Sequence, residues 1–143
     1  MIDAVIARLE DQIGELRDRV RGAGDLAELT RSNRLPQVTP AAHVVPLGLR
    51  GGQADGGAGA YTQPYSEAIG VILTVRSQDV IAKRVLDDLR GFILRIIDAI
   101  AGWVPPGGNA VFTFARAELA SSRQGTFIYQ IDFAISDQLR ILS

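Results

Sequence analysis

Apolar residues recur at helical spacing from the start of the chain, through Ile2, Val5, Ile6, Leu9, Ile13, Leu16 and Val20, with charged residues between them. One stripe of this kind predicts an amphipathic helix over residues 2–21. Gly22 and Gly24 are expected to end it, and Asp25 to cap a short further turn from Leu26 to Leu29. Pro36 and Pro40 then bracket an extended linker.

The period next changes to that of strands. Ala42–Leu47 (AHVVPL) reads as a first strand, and Tyr65–Ser77 (YSEAIGVILTVRS), rich in β-branched residues, as a second. Gly70 within it marks either a bulge or a close approach. Between them, Leu47–Pro64 is glycine-rich and polar, and is expected to be a mobile loop. Ser77 is placed to cap a long helix, with Asp79 favourable beside its positive end. Val85, Leu86, Leu89, Phe92, Ile93, Ile96, Ile97 and Ile100 supply the buried stripe of that helix. Gly102 and the run Pro105-Pro106-Gly107-Gly108-Asn109 stop it.

A hairpin closes the chain, with Val111–Leu119 as one strand, Ser121–Gly125 as the turn and Thr126–Ile135 as the other. Phe127, Tyr129, Ile131, Phe133 and Ile135 fall on one face of the last strand, which implies a sheet covered on that side. The order helix, strand, loop, strand, helix, strand, strand fits an α+β fold. Its sheet is expected to be mainly antiparallel and four-stranded, with two long helices packed on one face. Residues 1–143 read as one domain.

Composition narrows the chemistry. The net charge of −1 creates no field that would draw the chain to nucleic acid or to an anionic membrane. All the basic residues but Lys83 are arginine, a bias that suits bidentate contacts and that a GC-rich coding sequence also produces. There is no cysteine, so disulfides and thiolate metal sites are excluded. The opening MIDAVIARLEDQ carries acids within its apolar pattern and is no signal peptide, and no apolar run reaches the ~20 residues of a membrane span. A soluble protein made in the cytoplasm is expected.

No catalytic constellation emerges. His43 is the only histidine and lies in a short apolar strand, where a hydrogen-bonded structural role is the simpler reading. Asp87 and Asp88 diverge on a helix, and Glu118 and Asp132 are expected to face each other as an exposed pair across the final hairpin. The glycine-rich stretch lacks the lysine of a phosphate loop, and Gly57-Ala58-Gly59 lacks the third glycine of a dinucleotide site. What the stretch does carry is contact groups: Arg50, Gln53, Asp55, Tyr61, Gln63 and Tyr65. Trp103 is expected to cap the core. Arg116 and Arg123 either line an assembly surface or guard an edge strand.

Taken along its whole length, the chain resembles tailed-bacteriophage tail terminators of the Mu-type and lambda-type minor tail protein group. The resemblance rests on the MIDAVIARLEDQI helix, the LPQVTPAAHVVPLG strand start, the glycine/glutamine-rich loop, YSEAIGVILTVRS, the helix ending at AGWVPP and the hairpin through FIYQIDFAIS. It implies a structural protein with no reaction and no cofactor, which forms a hexameric ring on the end of the tail tube. Such a ring stops tube polymerisation and offers the surface to which the head connector attaches. The implied partners are further copies of itself, the tail tube protein and the head-connector or neck protein. DNA only passes through the lumen, no membrane is involved, and the location is the tail–neck junction of the virion.

By the same resemblance Arg50, Gln53, Asp55, Tyr61 and Gln63 belong to a tube or subunit contact, and Arg116, Glu118 and Arg123 to the ring interface or lumen. Two other readings stay open: a head–tail joining or neck adaptor subunit, and a small ligand-binding regulatory domain.

Overall fold

A computed structural model describes residues 1–142. The stripe read as one helix is divided. Helix α1 (Ile2–Gln12) ends where Ile13 turns extended, a single 3-10 turn follows (Gly14–Leu16), and Val20–Gly22 forms a short strand, β1. Its apolar positions nevertheless serve the core as expected: Ile13, Leu16 and Val20 are all buried. Gly14 gives up roughly 1 kcal/mol of helix propensity relative to alanine, so the helix is weakest where it ends. Beyond it Asp18 adopts a positive φ and β-branched Val20 pairs with Ala42.

Gly22 and Gly24 do not close a helix but open one. Helix α2 (Ala23–Arg31) has Gly22 at its N-cap and contains Gly24, and it is longer than the turn expected at 26–29. Asp25 does not cap it; its carboxylate reaches across to His43.

Strands β2 (Ala41–Gly51) and β3 (Ala60–Arg76) run far into the stretch expected as a loop at 47–64, leaving only residues 52–59 between them. They pair antiparallel, with a bulge between Pro46 and Gly48 rather than at Gly70. Gly70 instead answers to close approach: a Cβ there would press on Leu47 at 3.3 Å and on Asp132 at 3.4 Å.

The long helix is also two, α3 (Val80–Asp87) and α4 (Leu89–Ile100). Asp79, not Ser77, occupies the N-cap of α3, and Asp88 interrupts the pair by capping α4 through the Gly91 amide. Strands β4 (Thr113–Arg123) and β5 (Thr126–Leu142) form the closing hairpin. Its turn is shorter than expected: Ser121–Arg123 stay in the strand, and Gln124 and Gly125 make the bend with φ of 50° and 76°. Positive φ at both central positions is the hairpin turn whose twist suits the flanking strands.

The sheet therefore has five strands, in the order β1-β2-β3-β5-β4, and it is mixed because β1 runs parallel to β2 through the α2 crossover. Among the described residues four helices replace the two expected. Ala42 and Val44 of β2, Ile69, Val71, Leu73 and Val75 of β3, and Ile131 and Phe133 of β5 share one face. There they form a single core with α1, α3 and α4. Each large side chain fully buried in it contributes roughly 1.5–3 kcal/mol before entropy. Helix α2 lies over the other face, where His43 points. Trp103 packs at the margin of the core, stacked on Phe112 with ring centres 6.1 Å apart and with Arg8 over its ring.

Candidate functional site

Burial ends abruptly along the strands. No residue of β3 from Ala60 to Ala68, of β2 beyond Val44, or of β5 beyond Phe133 is buried. The three strands remain paired over this stretch, down to Ala60 opposite Leu142. They form an arm that leaves the helical layer and projects about 25 Å at ~3.3 Å per residue.

Strand alternation gives the arm two unlike faces. One carries Leu49, Tyr61, Gln63, Tyr65, Glu67, Asp137, Leu139 and Ile141. Its charges are all acidic, and its apolar side chains lie open, with Leu49 at 69% and Ile141 at 55% exposure. The other face carries Arg50, Thr62, Pro64, Ser66, Gln138 and Arg140, polar and basic.

The tip is held by local bonds. Asp55 and Thr62 exchange both backbone hydrogen bonds at 2.7 and 2.8 Å, and the Asp55 carboxylate accepts from the Gly57 amide. Tyr61 donates its hydroxyl proton to Gln63 Oε1 at 2.6 Å, while Gln63 Nε2 donates to the Gly52 carbonyl at 2.9 Å. The glycines fit this packing, since a Cβ on Gly51 would lie 2.7 Å from Gln63 Nε2. Asp137, beside Tyr65, pushes the phenol above its ordinary range through its negative charge.

Of the residues singled out from the sequence, Arg50, Gln53, Asp55, Tyr61 and Gln63 thus lie on one arm, but Arg50 faces away from Tyr61 and Gln63. Arg123 lies at the opposite end of the sheet, paired with Thr126 next to Arg76. Arg116 and Glu118 sit between, on the edge strand β4. Glu118 and Asp132 do not oppose each other as expected: Asp132 pairs with Arg116, and Glu118 with Gln130. Nor is Asp132 exposed. It is 7% accessible, accepts from Arg116 Nε at 3.1 Å and from Gln130 Nε2 at 2.9 Å, and holds the Arg116 pKa above its ordinary value.

A second feature lies at the end away from the arm. A cleft of about 700 Å³ opens between α2, the segment from Asn33 to Val38 and the start of β2. Arg19, Arg21, Arg34 and Arg76 line it, with Leu29, Leu35 and Val38 as apolar wall. His43 forms part of this wall, 2% exposed, with Nε2 2.7 Å from Asp25 Oδ2. Its Nδ1 has no hydrogen-bond partner among the described residues. Arg76 is held by Asp79 at 3.1 Å and by the Gln37 carbonyl.

Among the described residues no group of three or more His, Cys, Asp or Glu side chains comes together to hold a metal ion, and no helix is long and apolar enough to cross a membrane.

Sequence reasoning missed Leu139 and Ile141, although the alternation through Ile135 continues to them. It also missed the cleft, whose arginines are scattered between positions 19 and 76 and meet only in the fold.

The overhanging sheet arm thus offers two faces of different chemistry, one acidic and apolar and one polar and basic. The family model described as phage tail terminator protein matches residues 2–142, and the chain belongs to that family. Its role is accordingly a structural one in a phage tail. A search of curated proteins returned no match.

Proposed function

We propose that the protein caps the growing end of a phage tail tube as a closed ring of six copies, the number the family resemblance implies, stopping polymerisation and presenting the surface to which the head connector attaches. The observation that carries this reading is the family match over nearly the whole chain, joined to an arm with no fully buried residue. Ordering such an arm costs entropy, and contacts outside the chain would add to the strand pairing that offsets it. Arg50, Gln53, Asp55, Tyr61 and Gln63 are proposed to contact the tube or a neighbouring subunit, and Arg116, Glu118 and Arg123 to lie at the ring interface or lumen. A ring is a sound solution because head-to-tail contacts that close do not run on into fibres.

Electron microscopy of particles made without this gene tests the reading. Overlong tubes of uneven length, free of filled heads, are expected. Tails of normal length that fail to join heads would overturn it in favour of a neck adaptor. Intact infectious particles would overturn both.

A further inference from the structure

The arm and the cleft lie at opposite ends of the strand direction. Strand β3 starts at the arm tip and ends at Arg76, on the cleft wall. The sheet therefore keeps the two apart within one chain, yet their chemistry matches. The apolar face of the arm carries Leu139 and Ile141 with the acids Glu67 and Asp137 and no base. The cleft sets four arginines, against Asp18 and the His43-bound Asp25, around the open apolar side chains of Leu35, 42% exposed, and Val38, 56% exposed.

We propose that these are the two halves of one contact between copies of this chain: the apolar, acidic face of one arm seats on the arginine-lined cleft of the next copy. The proposal rests on the ring reading and names the surfaces that would join its subunits. Two arm faces set together would oppose acid to acid, whereas the cleft is basic on balance, its four arginines outnumbering Asp18 and Asp25, so an arm face on a cleft is the complementary pairing and it is head-to-tail. Arg34 is the guanidinium with a free hand. Its side chain has no partner among the described residues, whereas Arg76 is already committed to Asp79. A carboxylate of the neighbouring arm supplies what a guanidinium fork binds best. The assignment also divides the arm, leaving Arg50 and Arg140 on its other face for the remaining partners of the ring.

The chain has no cysteine, so Leu139→Cys and Val38→Cys introduce its only thiols. Tail particles whose subunits carry both changes, treated with a bismaleimide, are expected to yield a ladder of covalent oligomers. Particles carrying either change alone are expected to yield none. Dimers from a single variant would mean that like faces meet, and would overturn the pairing. Double-variant tails that end normally but give no ladder would overturn it while leaving the terminator reading intact.

Charge exchange decides the matter if the cysteine variants form no particles. Asp137→Arg and Arg34→Asp are each expected to lower the yield of infectious particles about tenfold or more, and their combination to restore most of it. A combination no better than the worse single variant, with the melting temperature of the isolated protein unchanged, would overturn the proposal. Normal tail lengths in the gene deletion would instead end the terminator reading and leave the cross-linking result to stand by itself.

Discussion

Asp88 accepts a hydrogen bond from the Gly91 amide at 3.1 Å, and a Cβ on residue 91 would collide with that same carboxylate. The two residues form one device, which ends α3 and starts α4 in mid-stripe. Asp88→Ala should therefore cost about 1 kcal/mol, the ordinary value of an N-cap. In a Gly91→Ala background the carboxylate has already been displaced, and the same change should cost almost nothing. A double-mutant cycle by urea denaturation measures the coupling.

Two carboxylates make stability depend on pH in the acid range. Asp79 lies below its ordinary 3.8 mainly because it accepts from Thr39, at 2.5 Å from the hydroxyl and 3.1 Å from the amide, with Arg76 adding to the effect. Glu15 lies below its ordinary 4.5 mainly through two hydrogen bonds from Arg95, at 2.9 and 3.0 Å. Each group binds fewer protons folded than unfolded near these values. Its contribution is complete above the unfolded pKa and is lost as pH falls through the folded one. Asp79→Asn and Glu15→Gln should each melt below the wild type near pH 7, and the gap should begin to narrow near the unfolded values, about 4, and close only as the pH falls below the lowered folded ones. Thermal melts across that range check it.

How far the fold was legible differs from element to element, for physical reasons. The apolar positions of residues 2–21 named the right core residues, because burial depends on side-chain chemistry. They misnamed the geometry, because Ile13, Leu16 and Val20 can reach the same core from a helix, a 3-10 turn or a strand. The parallel strand β1 spans only Val20–Gly22 and exists through its pairing with Ala42–Val44, a long-range contact that no local pattern encodes.

The arm was misread for a different reason. Glycine marks both mobile chain and tight packing, and Gly51 serves the second by leaving room for the Gln63 amide. The residues proposed as contacts lie along one arm, and only the strand register separates Arg50 from Tyr61 and Gln63. The cleft was illegible altogether, since Arg19, Arg34 and Arg76 are distant in sequence.

The hairpin arginines should separate by role. Arg116 is one of two side chains satisfying the nearly buried Asp132, whereas Arg123 has no such duty and sits beside the turn. Arg116→Ala would leave Asp132 with Gln130 alone, and a buried carboxylate short of partners is destabilising. Arg116→Ala is expected to lower the melting temperature more than Arg123→Ala, and calorimetry of the two variants ranks them.

The last prediction separates folding from assembly. Ile131 is fully buried at the centre of the sheet, so Ile131→Ala should cost about 2–5 kcal/mol through lost transfer energy and the cavity left behind. Tyr61 and Gln63 bond to each other and to Gly52 towards the tip of the arm, and neither belongs to the core or packs against it. Replacing both by alanine should leave the melting temperature close to that of the wild type. If the arm works outside the chain, this stable double variant should nonetheless fail to support tails of normal length when it replaces the wild-type gene. A double variant that restores normal tails would remove these two side chains from the contact. One that melts as early as Ile131→Ala would show that the arm stabilises its own domain, and its entropy cost would no longer call for a partner.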